Sequence, residues 1–244
     1  MKLQRQWGFY ERYVKRMLDI FCSLLALILF WWLYAIMAML VCLKMGRPVI
    51  FKQKRPGLIE PKTGQERIFN MYKFRTMTDA KDERGKLLPD EQRLPQFGKW
   101  LRSTSLDELP ELFNILKGDM SIIGPRPQLV KDMVFMSEEV RMRHTAKPGL
   151  SGLAQVMGRN AIRWEEKFKW DLKYIEHVSF QNDLRIVWLT MKKIVRPKAI
   201  ERAETDVTLD YGDALLKECR ITQEMYHALQ AHARDLLSDN ERKK

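Results

Sequence analysis

The chain has 244 residues, 45% of them hydrophobic and 30% charged, with a formal net charge of +12. That length allows one full core with a small appendage, and the charge favours anionic partners such as nucleic acid, lipid headgroups or nucleotide-linked substrates. Cys22, Cys42 and Cys219 form no metal-binding or redox pattern and give no sign of a disulfide-built secreted protein.

The first predicted element is the apolar run IFCSLLALILFWWLYAIMAMLVCL, residues 20–43, which holds no formal charge. A secretory signal has a shorter apolar core and a small-residue cleavage site. A helix over this run reaches about 36 Å, enough for a bilayer core. Membrane insertion is therefore expected over a buried helix of a soluble protein. Arg5, Arg12, Lys15 and Arg16 precede the run, and Lys44, Arg47, Lys52, Lys54 and Arg55 follow it, so the positive-inside rule gives no direction. The absence of Gly and Pro favours a straight helix. The equal basic flanks, and Trp31-Trp32 near the middle, favour a re-entrant segment with both ends at the cytoplasmic face. The re-entrant arrangement is the expectation adopted.

From Lys44 onward the pattern is mixed. GRPVIFKQKRPG (46–57) and RIFNMYKFRTM (67–77) read as short extended segments, too short for a large sheet, and the charged stretch 79–93 as a surface loop. WEEKFKWDLKYIEHV (164–178) and NDLRIVWLTMKKIV (182–195) are amphipathic helices. A core-facing role is expected for each, with a membrane-interface role second, because Trp and Lys occur together beside an anchored domain. After Pro197 an acidic, weakly periodic stretch leads into two short helices broken near Arg220. The second begins at Thr222 with Ile221 ahead of its cap, and DNERKK is expected to fray. Docking or self-association is the reading this tail favours.

The chemistry concentrates in STSLDELPELFNILKGDMSIIGPRP, residues 103–127. Ser105 and Glu108 match a capping box, so Glu108 has a structural reading as a helix cap. Pro110 sits poorly inside a helix capped at Ser105, which leaves an irregular turn ahead of ELFNIL as the alternative. A carboxylate near free backbone N–H groups stays ionised and can serve as a nucleophile. Two adjacent carboxylates give a divalent cation such as Mg²⁺ an oxygen site shared with substrate phosphates. GPRP presents Arg126 on a stiff turn, suited to bidentate phosphate contact.

The sequence closely resembles the bacterial sugar transferase family, the monotopic phosphoglycosyl transferases that start polyprenyl-linked glycan assembly. The resemblance runs in order through YVKRMLDIF (13–21), PVIFKQKRPG, FNMYKFRTM and LRSTSLDELPELFNILKGDMSIIGPRP (101–127). It continues in KPGLSGLAQVMGR (147–159) and WDLKYIEHVSFQNDLRIVWLTMKKIV (170–195), leaving the tail outside. With no four-span region before Tyr13, the chain reads as a compact member. Members carry a Ser-Pro break in the N-terminal helix; counted from Lys15-Arg16, that break falls on Trp31-Trp32.

The resemblance implies an α/β fold with mostly helical content, a membrane-anchored monotopic protein at the cytoplasmic face of the bacterial inner membrane. Its expected parts are an amphipathic lead-in and membrane helix (1–45), a cytoplasmic catalytic domain (46–197) and a C-terminal helical extension (198–244), through which homo-oligomers could form. It implies that Asp107 and Glu108 are the catalytic dyad and Mg²⁺ ligands, with Arg102, Arg126, Lys73 and Arg75 at substrate phosphates. Asp107 would take a phosphosugar from a UDP-sugar, release UMP, and pass it to polyprenyl phosphate in ping-pong fashion. The rival readings are a membrane-tethered glycosyltransferase releasing UDP, a membrane scaffold, and a nucleic-acid-binding module; nucleic acid is not an expected partner. Residues 79–100 and 159–170 are candidate contributors to recognition of the sugar, whose identity they do not encode.

Overall fold

The computed structural model describes residues 5–158, 162–195 and 209–242. The start of the sugar-recognition candidate 159–170 and most of the acidic stretch after Pro197 lie outside these residues. In chain order, a π-helical turn at Tyr10–Val14 runs into α1 (Lys15–Met45), then the paired strands β1 (Ile50–Ile59) and β2 (Glu66–Phe74). Next come α2 (Asp90–Arg93), α3 (Gln96–Thr104), a 3-10 turn (Leu106–Glu108) and α4 (Glu111–Lys117). β3 (Ser121–Ile123), α5 (Val130–Met133), α6 (Glu138–Arg141), a second 3-10 turn (Met142–Thr145) and β4 (Gly149–Ser151) follow. α7 (Leu153–Met157), α8 (Trp164–Glu176), α9 (Phe180–Val195), α10 (Tyr211–Lys217) and α11 (Gln223–Arg242) complete the order. Both extended segments read from sequence form, and the sheets stay at two strands each, with β3 parallel to β4. The fold is mixed and mostly helical.

The chain forms two interleaved compact units. One comprises Asp19–Gln53 and Asn70–Gly118; the other comprises Met1–Leu18, Lys54–Phe69 and Asp119–Lys244. In the first unit, Met37, Val41 and Met45 recur every fourth residue along the second half of α1 and pack with Phe74 and Leu101. The preceding half does the reverse: Phe21, Ile28, Leu29 and Trp31 are exposed. An apolar window of mean hydropathy 2.5 that is only 11% buried is the profile of a membrane helix, not a core helix.

α1 is not straight. Phe30 leaves helical geometry at φ −113°, ψ 17°, directly before Trp31-Trp32. The straight helix favoured by the absence of Gly and Pro does not form. The Trp32 indole N–H donates to Leu29 O at 3.0 Å, so a side chain serves a carbonyl at the break.

In the second unit, a core of Ile123, Ala146, Leu153, Val156, Tyr174, Ile175 and Ile186 joins β3, α7, α8 and α9. α8 turns Phe168 and Ile175 inward, as expected, together with Tyr174. α9 forms where its periodicity places it and meets this core through Ile186 and the partly buried Leu189, but most of its apolar stripe does not. Of its apolar residues, Ile186 is buried, whereas Phe180, Leu184, Trp188 and Met191 are exposed.

The C-terminal helices dock on their own unit. Ala233, Leu236 and Leu237 of α11 pack with Val130, Met133 and Ile68, and the Tyr211 N–H donates to Asp132 Oδ1 at 2.9 Å. Thr222 Oγ1 accepts from the Met225 N–H at 3.2 Å, the expected cap. The fraying expected from Asp239 is not seen through Arg242, where α11 remains helical; Lys243 and Lys244 lie outside the described residues.

Candidate active site

The acidic turn is built by two helix ends in the first unit. α3 terminates because Ser105 adopts the left-handed region, φ 57°, and returns its N–H to Arg102 O at 3.2 Å. One 3-10 turn, Leu106–Glu108, then carries both acids, and Pro110 stands at the N-cap position of α4, where its missing N–H costs nothing. The capping box does not form. Ser105 makes no side-chain cap bond, and Glu108 Oε1 instead meets Lys73 Nζ of β2 at 2.8 Å.

Lys73 also lies 3.2 Å from Glu111 Oε1, so one ammonium serves two carboxylates. Asp107 is treated differently. Its side chain is buried, yet among the described residues it has no hydrogen-bond or ion-pair partner beyond its own backbone N–H. Burial pushes its carboxyl above the usual aspartate range; Lys73 pulls it down, Glu108 pushes it up and Arg102 pulls it down. The two neighbouring acids therefore have distinct environments, one ion-paired and one uncommitted.

The rest of the turn's geometry comes from residues that sequence reasoning passed over. Asn114, fully buried in α4, accepts the Tyr72 N–H at 2.9 Å and donates to Asn70 O at 2.7 Å. It stands in for a neighbouring strand along β2 and so sets Lys73 against α4. Glu111 is 2% exposed, a second carboxylate at the same ammonium. The spacing of Glu108 and Glu111, one helical turn, is the signal that could have found it. Gly98 matters by size: a Cβ there would lie 2.0 Å from Thr76 O, so only Gly lets α3 approach this closely. That approach brings Arg102 Nε to within 3.0 Å of Thr76 Oγ1, leaving its terminal nitrogens without a described partner.

The other sequence-derived cations divide. Arg75 donates to Met77 O at 2.9 Å and Arg47 O at 3.0 Å and pairs with Asp79 at 2.5 Å, so it braces the backbone after β2. Arg126 belongs to the second unit, half-buried between the buried Pro125 and Pro127. Among the described residues no group of three or more His, Cys, Asp or Glu side chains is arranged to hold a metal alone. Asp107 and Glu108 are hard oxygen donors, and such a pair fits Mg²⁺ when substrate phosphates supply further oxygens.

An exposed apolar helix beside a turn carrying one paired and one uncommitted acid defines a membrane-associated protein with a candidate nucleophile. Its family is bacterial sugar transferase: that family's profile matches residues 10–197, and the chain belongs to it. It is 49% identical over 162 residues to the uncharacterized sugar transferase EpsL of Bacillus subtilis, covering 66% of this chain and 77% of the relative. It is 37% identical over 195 residues to the galactosyl transferase CpsE of Streptococcus agalactiae, covering 74% of this chain and 42% of that protein. It is 34% identical over 203 residues to the undecaprenyl-phosphate galactose phosphotransferase of Salmonella typhimurium, covering 76% and 41%. The chain thus spans about two-fifths of the length of the last two relatives. The extension beyond residue 197 lies outside the family match.

Proposed function

We propose that this protein transfers a phosphosugar from a UDP-sugar to polyprenyl phosphate through a covalent intermediate on Asp107. The observation that carries the reading is the contrast between Glu108, held by Lys73, and Asp107, buried and uncommitted. A carboxylate oxygen of Asp107 attacks the phosphorus that bears the sugar, the bond to the bridging oxygen breaks, and UMP leaves with that electron pair. A phosphate oxygen of the lipid acceptor then attacks the same phosphorus. The acyl-phosphate bond breaks, and the Asp107 carboxylate is restored. The names of relatives in Salmonella typhimurium and Klebsiella pneumoniae, an undecaprenyl-phosphate galactose phosphotransferase and a UDP-glucose:undecaprenyl-phosphate glucose-1-phosphate transferase, support both the donor and the acceptor class.

In this reading Lys73 holds Glu108 and lends positive potential to the nucleophile. Arg102 and Arg126 bind substrate phosphate, and Arg75, with its donors engaged, contributes charge and shape. Asp107 and Glu108 would hold Mg²⁺, which when bound neutralises phosphate charge. The anchor keeps the enzyme on the cytoplasmic face, with the helix re-entrant at the Phe30 break, where a lipid-borne acceptor and a soluble donor can both be met. The exposed face of α9 lies in the interface, its apolar residues toward the lipid and Lys192 close to the Trp188 ring at 5.2 Å. If L184D/W188D leaves flotation with anionic vesicles and thermal stability both unchanged, that placement of α9 is wrong.

The decisive experiment supplies purified enzyme with UDP-glucose, UDP-galactose and UDP-N-acetylgalactosamine, with and without undecaprenyl phosphate. Lipid-dependent UMP release, and a phosphosugar adduct on Asp107 with donor alone, are expected. Release of UDP would identify the tethered glycosyltransferase instead.

A further inference from the structure

Residues 123–127 of the second unit carry Arg126, and nearly every backbone group around it is spoken for. The Tyr174 hydroxyl donates to Ile123 O at 3.2 Å and the Gly149 N–H to Pro125 O at 3.0 Å. Arg143 Nη2 donates to Arg126 O at 2.6 Å, and Arg55 Nη1 to Pro127 O at 3.2 Å. The Gly124 N–H donates to Ser151 O at 2.9 Å. A Cβ at Gly124 would fall 2.2 Å from Lys147 O, and one at Gly149 2.0 Å from Gly124 N, so the two backbones touch with no side chain between them.

Arg143 is the unexpected member of this set. It is 1% exposed, and its Nε and Nη2 both reach Asp171 Oδ2, at 2.9 and 2.6 Å. Nη1 lies 3.2 Å from His144 Nε2. A guanidinium can only donate, so His144 Nε2 accepts, and its Nδ1 must carry the proton that goes to Glu66 Oε1 at 3.0 Å. Glu66 is in turn gripped by Arg141 through Nε at 2.8 Å and Nη2 at 2.7 Å. Burying an arginine this completely costs more than an apolar residue of its size, and stability alone does not account for it. What the ion supplies is geometry: a planar fork held on two sides, with a donor directed at one backbone carbonyl.

We propose that Arg143, pinned by Asp171 and by a neutral His144, is a positioning residue that fixes the backbone of Arg126 and thereby aims the Arg126 guanidinium at substrate phosphate. The inference rests on the reading of Arg126 as a phosphate ligand. Lysine presents its donors from one point and cannot meet Asp171, His144 and Arg126 O together, so R143K keeps the charge and loses the brace.

The test is a double-mutant cycle on the full-length enzyme in detergent, with UMP release from the best of the three UDP-sugars as the readout. It is paired with hydrogen exchange at Gly149. R143K is expected to lower kcat/KM by about 30-fold in the wild-type background but by less than about 3-fold in R126A, because the brace has nothing left to aim. Exchange at the Gly149 amide should accelerate at least about tenfold, while the Tyr72 amide held by Asn114 stays unchanged. Equal losses from R143K in both backgrounds, or an unaltered Gly149 amide, overturn the proposal. If R126A itself releases UMP at the wild-type rate, the phosphate role of Arg126 fails, and the Gly149 amide alone decides whether Arg143 braces the turn. Should R143K fail to fold, D171N enters the same cycle with the same expected pattern.

Discussion

The turn that carries Asp107 and the turn that carries Arg126 solve opposite problems. Around residues 105–111 the neighbours are held tightly: Ser105 closes α3, Lys73 holds Glu108 and Glu111, and Asn114 ties α4 to β2. The Asp107 carboxylate is the group left uncommitted. Around residues 123–127 it is the backbone that is held, with donors on the Ile123, Pro125, Arg126 and Pro127 carbonyls. A nucleophile must keep its lone pairs available while its backbone is fixed; a phosphate-binding arginine needs a fixed base for a long side chain. The first turn restrains everything near the reactive atom except that atom. The second restrains the main chain.

The harshest test of this contrast is at the nucleophile. D107N should lower kcat on the order of 10⁴-fold, with no loss of melting temperature, since no side-chain partner is removed. E108Q should cost about 10- to 100-fold and some stability, because it disrupts the Lys73 pair. Matched small effects of the two substitutions in steady-state UMP release would erase the distinction between the acids. Burial holds the Asp107 carboxyl above the ordinary aspartate range, so its titration followed directly in the absence of Mg²⁺ should lie above that range.

At the scaffold, N114A strands the Tyr72 N–H and the Asn70 carbonyl and should cost about 2–4 kcal/mol in urea unfolding. A loss below the error of that measurement would mean that α4 is held to β2 by packing alone. At the second turn, R126K should be impaired about 10-fold in kcat/KM while melting normally, since a lysine retains charge but not the fork. Wild-type kinetics for R126K would exclude an essential bidentate contact.

The smallest expected effect separates a buried acid of the scaffold from the buried acid of the site. Asp132 is pushed up to about 6, by burial first and then by Asp210, while it accepts the Tyr211 N–H. A raised folded-state value means that the fold prefers the protonated acid. Stability contributed by Asp132 is present below the unfolded value and is lost as pH rises toward 6. D132N should therefore stabilise the protein by about 1–3 kcal/mol at pH 7.5, fade to no effect below about pH 4, and leave UMP release intact. Thermal melts across that range check the sign.

Much of this was legible in the sequence. The lengths and periods of residues 20–43, 164–178 and 182–195 gave helices close to α1, α8 and α9, and the two short extended segments became β1 and β2. The Asp107-Glu108 pair stood out through its neighbours in the chain and the family resemblance. Asn114 did not stand out. Inside ELFNIL it is an ordinary polar position of a short helix, and only the edge of β2 alongside gives its amide two backbone partners. Arg143 was equally silent, since a basic residue in VRMRHT gives no hint that it will be sealed against Asp171.

The amino-acid order by itself determined where α1, α8, α9 and the paired strands β1 and β2 lie, that one helix is apolar enough for a membrane, and that two adjacent acids stand just ahead of a proline. These are local properties, set by periodicity and by backbone chemistry within a few residues. Which acid is paired, which side of α9 is covered, where α1 breaks and what holds Arg126 were decided only in three dimensions. Each depends on a partner distant in sequence or on a local compromise among bulky side chains: Lys73 reaches Glu108 across 35 positions, and Arg143 reaches Asp171 across 28. Hydrophobic period reveals that a helix has an apolar face, but whether that face meets protein or lipid is settled by what else has already filled the core.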